Sequence, residues 1–297
     1  FSVIGAPDSA LPFGTIFTGL LICQVYFWSM HQSIIQRALG AKNLATAQKG
    51  LLLTAIFKIL IPIIIAVPGV IGFYYFGDSL YDQQDSIYPM VVKRVLPVYL
   101  IGFFAAVMMG AVLSTFNSVI NSAATIYTID IYKVLINKTA DEEKMVKVGK
   151  RTSIILSIFS ILTAPLMSNA PEGMYQLMVT LVGFSYIPLG TIIIAGFFLK
   201  HVSPAGIKVS LTAGIIFYFL TTFIIDIGIH NVHVWGIMFV GMIAVMYAVS
   251  YFYPVKSFYV MEDNHKVDIT HWRYAKVVSV VIALITASVY VFLWGRS

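Results

Sequence analysis

The stretch Val25-Tyr26-Phe27-Trp28-Ser29-Met30-His31-Gln32-Ser33-Ile34-Ile35-Gln36-Arg37 (VYFWSMHQSIIQR) continues an apolar run that opens near Leu11. Its hydropathy marks a membrane helix, yet Gln24, Trp28, His31, Gln32 and Gln36 fall within about three and a half helical turns. Polar side chains in hydrocarbon are costly unless they face partners or a water-filled cavity. A span with this pattern lines something.

Composition defines the medium. The chain has 297 residues, 59% hydrophobic and 11% charged, with mean hydropathy +0.88. That balance belongs to a polytopic membrane protein whose first partner is the lipid bilayer. The net charge of +6 is spread between apolar runs, so no nucleic-acid partner is expected. Cys23 is the sole cysteine, which excludes an intrachain disulfide and a cysteine metal cluster. The sequence opens on Phe1 with loop-like residues and shows no signal-peptide pattern. The expectation is the later part of a longer protein.

Apolar runs of roughly 20 residues predict eight spans, at about 12–38, 51–76, 97–132, 151–169, 174–199, 205–226, 232–253 and 274–294. The third is too long for one straight crossing and is expected to project from the bilayer. Loop charges set the orientation. Arg37, Lys42, Lys49, Lys133, Lys138, Lys144, Lys147, Lys150, Arg151, Lys200, Lys208, Lys256, Lys266, Arg273 and Lys276 fall on one side, against Lys93, Arg94 and Arg296 on the other. Fifteen against three makes the first side cytoplasmic, with both ends of this chain extracytoplasmic. Trp235, Trp272 and Trp294 sit at span ends, as interfacial rings do. Trp28 lies inside its span, where it either packs between helices or faces a ligand.

The thirteen carboxylates are distributed informatively. Asp8, Asp78, Asp82, Asp85, Asp141, Glu142, Glu143, Glu172, Glu262, Asp263 and Asp268 are in loops, and Asp130 and Asp226 are near span ends. No span has an acid at its centre, which removes a buried carboxylate proton relay and a paired-acid hydrolase. Any cation bound by this chain must be held by neutral oxygens. The third span offers them in Gly110-Ala111-Val112-Leu113-Ser114-Thr115-Phe116-Asn117-Ser118, continuing to Asn121 and Ser122. Ala111, Thr115, Ser118 and Ser122 share a helix face. Small hydroxylated residues serve either as helix–helix glue or as oxygen ligands for a hard cation.

Lys58 lies about eight residues into the second span, roughly 12 Å deep at ~1.5 Å per residue. It either snorkels to the interface or meets polar partners inside. Pro62 and Pro68-Gly69 predict a kink in this span. In the opening stretch, Gln24, Phe27, Trp28 and His31 have i, i+3, i+4, i+7 spacing. An amide beside flat rings is chemistry suited to a sugar, since rings cover C–H faces while polar groups take hydroxyls. His31 alone reads more often as a satisfied packing residue than as a ligand. His230 and His233 lack the acids or cysteines of a metal site.

These residues resemble the solute:sodium symporter family, especially sodium/glucose and sodium/galactose cotransporters. The resemblance rests on Tyr26-Phe27-Trp28 with Gln32 to Arg37, Ala41-Lys42 and Ala45 to Gly50, and on Phe57-Lys58 with Pro68-Gly69. It continues through Tyr88-Pro89 and Leu96-Pro97 to Ala111-Val112-Leu113-Ser114-Thr115, Asn121-Ser122 and Asp130-Ile131-Tyr132-Lys133. It implies an all-α five-plus-five inverted-repeat fold, with residues 1–297 as one transmembrane domain holding the second repeat and the helices after it. The N-terminal repeat of the same protein, absent from this sequence, would be a partner in both sites. Ala111 (by its carbonyl), Ser114 and Thr115 align with sodium ligands, Thr115 standing where relatives have a second serine. Lys58 aligns with a sugar-binding lysine and Trp28 with the aromatic beside the sugar. Gln24 replaces an asparagine, and Phe27 keeps the ring of the inner-gate tyrosine without its hydroxyl. Thr180 is the best match to a sugar-binding glutamine. The implied function is Na+-coupled import of a glucose- or galactose-type monosaccharide across a plasma membrane, such as a bacterial inner membrane. Na+ is co-transported, no organic cofactor is implied, and the protein is not an enzyme. A non-transporting sugar sensor and an intramembrane enzyme using Lys58 or His31 are the rival classes.

Overall fold

The structure is a computed structural model that describes residues 11–77, 86–167, 174–225, 227–255 and 267–294. The loop charges Asp8, Asp78, Asp82, Asp85, Glu172, Asp226, Lys256, Glu262, Asp263, Lys266 and Arg296 lie outside the described residues. Within them every regular element is helical. A 3-10 turn, Phe13–Ile16, leads into α1 (Gly19–Ser29), α2 (Gln32–Leu39), α3 (Leu44–Lys58), α4 (Ile61–Phe76) and α5 (Ile87–Val95). Then come α6 (Val98–Ile126), a π-helical continuation (Tyr127–Ile136), α7 (Glu142–Met167), α8 (Met174–Phe198), α9 (Pro204–Phe223), α10 (Asn231–Phe252) and α11 (Ala275–Trp294).

Seven stretches among the described residues are long and apolar enough to cross a membrane: Phe13–Leu39, Leu44–Phe76, Val98–Ile136, Leu177–Phe198, Pro204–Phe223, Asn231–Phe252 and Ala275–Phe292. The eighth expected span, 151–169, is the apolar part of α7, whose first turns carry Glu142, Glu143, Lys144 and Lys147. The Val98–Ile136 stretch has 39 residues, about 58 Å of helix at ~1.5 Å per residue. That is nearly twice a bilayer core of ~30 Å, so the expected projection follows. Large apolar side chains face outward, Ile64 at 61% exposure and Phe103 at 70%. In water that surface would cost about 25 cal/mol per Å², and lipid removes the cost. The chain is a multi-pass membrane protein.

Two spans predicted as continuous are interrupted. The first breaks at Met30–His31, between α1 and α2. The second breaks at Ile59–Leu60, just before Pro62, where the kink is expected. The physical reason is local: an α-helical Lys58 carbonyl would bond the N–H of residue 62, and proline has none.

The chain divides into two compact units, and the division falls within α3. Unit 1 comprises residues 1–50 and 175–297. Its core is the α9–α10 hairpin. Ser203 caps α9 by accepting from the Gly206 amide at 3.1 Å, with Pro204 in the first turn. Gly206, Ser210 and Gly214, spaced by four, give α9 a narrow face that lets α10 approach. A Cβ on Gly206 would stand 2.6 Å from Ser250 Oγ and 2.8 Å from the Met246 carbonyl. The Ser210 hydroxyl donates to the Met242 carbonyl at 2.9 Å. Higher up, the indole N–H of Trp235 donates to the Tyr218 hydroxyl at 3.2 Å, which donates to the Thr180 carbonyl of α8 at 3.2 Å. Gly183 of α8 lies directly against that Tyr218–Trp235 pair. α1 joins through Gly19, which meets the Val232 carbonyl and Trp235 Cβ.

A second tie in unit 1 joins the start of α3 to the segment before α11. The Leu44 amide donates to the Asp268 carbonyl at 3.0 Å, and the Trp272 amide donates to Gln48 Oε1 at 2.8 Å. Thr270 hydrogen bonds hold the exposed Asp268 carboxyl below the usual carboxylate range.

Unit 2 comprises residues 51–174. α5 lies against α4, where Gly72 admits Ile87 and Val91, and Arg94 donates to the Tyr75 hydroxyl at 3.0 Å. α6 and its π-helical continuation pack on α7. The pair Lys147–Glu143 at 2.6 Å is exposed on α7, and such surface pairs add little stability.

Gly206→Ala is expected to lower the thermal stability of the purified protein, by about 1–3 kcal/mol for an overpacked contact. Gly241→Ala, on α10 with nothing within 4 Å of its Cβ position, should be neutral or stabilise by up to ~1 kcal/mol. Equal melting behaviour of the two variants in detergent would contradict this packing.

Candidate functional site

The α1–α2 break is built by hydrogen bonds that the chain reroutes. The Tyr26 carbonyl accepts from both Met30 and His31 amides, at 2.9 and 3.0 Å. His31 then adopts extended φ and ψ of −69° and 123°, and its carbonyl accepts from Ile34 and Ile35 at 3.0 Å to start α2. Its ring Nδ1 shares a proton with Ser33 Oγ at 2.7 Å. His31 therefore marks the break and does not continue the helical face shared by Gln24, Phe27 and Trp28.

That face assembles as the spacing requires. Trp28 Nε1–H donates to Gln24 Oε1 at 2.8 Å, and the rings of Phe27 and Trp28 meet edge to face at 4.7 Å. With Oε1 partly used, Gln24 still has its two amide N–H donors for a ligand. Trp28 is 39% exposed. Two residues that sequence reasoning did not place belong here. Tyr186 of α8 stacks nearly parallel on Phe27, at 5.8 Å and 19°, and touches Tyr26 at 5.1 Å and His31 at 5.2 Å. Tyr26 is buried at 6% exposure. The available signal was a phenol in mid-span, which carries a polar handle on an apolar body.

Thr180 lies six residues before Tyr186 on α8, away from the face that meets α1. It is half-buried, and its carbonyl is held by Tyr218. The structure thus groups Gln24, Phe27 and Trp28, and anchors Thr180 to the α9 side.

In unit 2, Ala111, Ser114 and Thr115 occupy one exposed patch of α6. The Thr115 hydroxyl donates to the Ala111 carbonyl at 3.1 Å, and the Ser118 hydroxyl donates to the Ser114 carbonyl at 2.9 Å. Back-bonding of this kind commits the hydroxyl proton to the helix. The oxygen lone pairs then point outward, which is the polarity a cation needs. Three oxygens are fewer than the six or more a hard cation usually takes, so a full shell requires further groups. Among the described residues no cluster of histidine, cysteine and carboxylate could hold a metal ion.

Lys58 is the last residue of α3. The amides of Ile59 and Leu60 close a tight turn onto the Ile56 and Phe57 carbonyls at 3.1 and 3.0 Å. Lys58 therefore sits in the last turn of α3, at a break in the span.

His230 and His233 serve α10 locally. His230 Nδ1 accepts from the Val232 amide at 3.3 Å, and His233 Nδ1 lies 3.0 Å from Thr18 Oγ1. An apolar groove of about 910 Å³ runs beside this pair, lined by Phe17, Leu21, Ile237 and Phe239. Its walls suit acyl chains, not a polyol.

Comparison with known proteins gives a consistent result. The model of the sodium:solute symporter family matches residues 4–214. The chain is 38% identical over 287 residues to the uncharacterized symporter YidK of Escherichia coli (strain K12), covering 97% of this chain and 50% of that protein. It is 30% identical to the sodium/glucose cotransporter of Vibrio parahaemolyticus, over 67% of this chain and 39% of that protein. Identity to the human sodium/myo-inositol cotransporter 2 is also 30%, over 70% of this chain and 33% of that protein. The chain spans half or less of the length of these relatives. With seven apolar spans and a match over most of its length, the chain belongs to the sodium:solute symporter family.

Proposed function

We propose that this chain is the part of a Na+-coupled symporter that contributes one side of the ion site and one side of the solute site, within a single transmembrane domain. The observation that carries the reading is the interrupted first span, where an amide–indole pair and a set of rings surround a helix break. Gln24, Trp28, Lys58 and Thr180 are the solute-binding residues, Phe27 is the inner gate, and Ala111, Ser114 and Thr115 bind sodium. The solute is a monosaccharide of the glucose or galactose type. A cyclic polyol is the second reading, favoured by the similarity to the human sodium/myo-inositol cotransporter 2. Loop charge places the Lys- and Arg-rich side in the cytoplasm, with both ends of this chain outside, in a plasma membrane such as a bacterial inner membrane.

Alternating access needs no covalent chemistry, only an energy source. One Na+ crossing ~100 mV supplies about 2.3 kcal/mol. At about 1.4 kcal/mol per tenfold, that supports roughly a fifty-fold solute gradient from voltage alone. Three oxygens leave the ion shell incomplete, so further groups would complete the site.

Vesicles holding the intact protein are expected to accumulate labelled D-galactose, D-glucose or myo-inositol when an inward Na+ gradient is imposed. Accumulation of none of them, with the protein correctly inserted, would refute the symporter reading. Solute-dependent current without accumulation would favour a sensor.

The double variant Ser114→Ala, Thr115→Val removes two oxygens and should raise the sodium concentration for half-activation by at least about tenfold, at ~1 kcal/mol per lost polar contact. Unchanged sodium activation reassigns the ion site. Lys58→Ala should raise the solute half-saturation constant about 10- to 100-fold, in the range of a charge-assisted hydrogen bond. It should leave sodium activation nearly as it was. Equal loss of both responses, with poor expression, would assign Lys58 to folding.

A further inference from the structure

We propose that Tyr186 is a solute-contacting residue of the gate and that its phenol supplies the hydroxyl that Phe27 lacks, an inference that rests on the symporter reading above. Tyr186 reaches from α8 to the break between α1 and α2, where its ring meets Tyr26, Phe27 and His31 at centroid distances of 5.1, 5.8 and 5.2 Å. These three residues bracket the point where the first span is interrupted. α8 can come so close because residue 190, one turn later, is glycine. A Cβ there would lie 3.0 Å from Tyr26 Cβ.

Tyr218 and Tyr186 are used differently. Tyr218 is fully buried, and its hydroxyl both accepts from Trp235 and donates to the Thr180 carbonyl. Tyr186 is only half-buried, and its hydroxyl makes no hydrogen bond among the described residues. A phenol that needed only to fill space beside Phe27 would serve as well without its oxygen. One left accessible at a polar helix break offers a donor and an acceptor to whatever occupies the space beyond it. Beside it, Phe27 packs edge to face on Trp28, whose indole is fixed by Gln24. The hydroxyl, the amide and the indole thus belong to one contiguous group on two helices, with apolar rings between them. A polyol is bound by that mixture of ring faces and hydroxyl partners.

The near-parallel stack of Phe27 on Tyr186, at 19°, makes a swap experiment informative, in which the para-hydroxyl is moved from one ring to its neighbour. The test uses the intact protein in proteoliposomes, with initial rates of Na+-driven uptake of labelled D-galactose, D-glucose and myo-inositol. Tyr186→Phe is expected to raise the half-saturation constant of the transported probe about tenfold, the loss of one hydrogen bond. Maximal rate and sodium half-activation should stay within about twofold. The pair Phe27→Tyr, Tyr186→Phe should return the constant most of the way to the wild-type value. Wild-type affinity in Tyr186→Phe overturns the inference and leaves the symporter reading standing. A rise that the swap does not correct overturns the exchange of roles between the rings. Uptake of no probe by the wild-type protein sinks the symporter reading, and this inference with it.

Discussion

In a bilayer, every backbone amide and carbonyl must be satisfied inside the protein, because hydrocarbon offers no partner. An unbroken helix meets that demand by itself. A broken one must be repaired by its neighbours, so the two interruptions here, at Met30–His31 and Ile59–Leu60, determine what surrounds them. At the first, the Tyr26 carbonyl takes two amides and the His31 carbonyl takes two more, so four N–H groups are served across the gap. The rings of Tyr26, Phe27, His31 and Tyr186 pack together at the irregular backbone. Gln24, Phe27 and Trp28 lie beside it, and irregular backbone at membrane depth is tolerated only against protein or a polar cavity.

That repair depends on where α8 sits, and the α9–α10 hairpin fixes α8. Gly206, Ser210 and Gly214 allow the two helices to close, which buries Met238, Met242 and Met246. Trp235 and Tyr218 then extend from the hairpin to the Thr180 carbonyl. With α8 pinned on one face, its other face delivers Tyr186 and Gly190 to α1. The small residues of α9, far in sequence from the opening stretch, are thereby a condition for the geometry at the break.

Much of this was legible in the sequence, for identifiable reasons. Run length and hydropathy located the spans, since a helix across lipid needs a minimum number of apolar residues. Helical spacing paired Gln24 with Trp28, and the structure joins them by a hydrogen bond. The breaks were less legible. Met30 and His31 are neither proline nor glycine, and nothing in their propensities stops a helix. Their geometry is imposed by Ser33 and by rings from a helix more than 150 residues later. Pro62 was visible, but its effect appears earlier, at Ile59–Leu60, because a proline deprives the carbonyl four residues before it. The role of Tyr186 required knowing which face of α8 meets α1, and that is set by the Tyr218–Trp235 contact. The apolar face of α8 is too uniform to reveal it.

The same displacement bears on how Lys58 could serve the proposed symporter. A lysine within an uninterrupted helix would have to bend toward the interface or find an acid, and no span centre carries an acid. At the end of α3 it has another means of stabilisation. The last turn of a helix concentrates carbonyl oxygens whose partial negative charge amounts to about half an electron. The break that Pro62 forces therefore creates a place for a cation without any carboxylate. In the proposed symporter this matters for specificity. A lysine neutralised by an aspartate would present a closed ion pair, whereas one beside backbone dipoles would bring an ammonium to a hydroxylated ligand. On α6 the Thr115 hydroxyl likewise spends its proton on the Ala111 carbonyl. The sodium site proposed there would thus rest on backbone and hydroxyl oxygens, which fits a sequence whose span centres carry no acid.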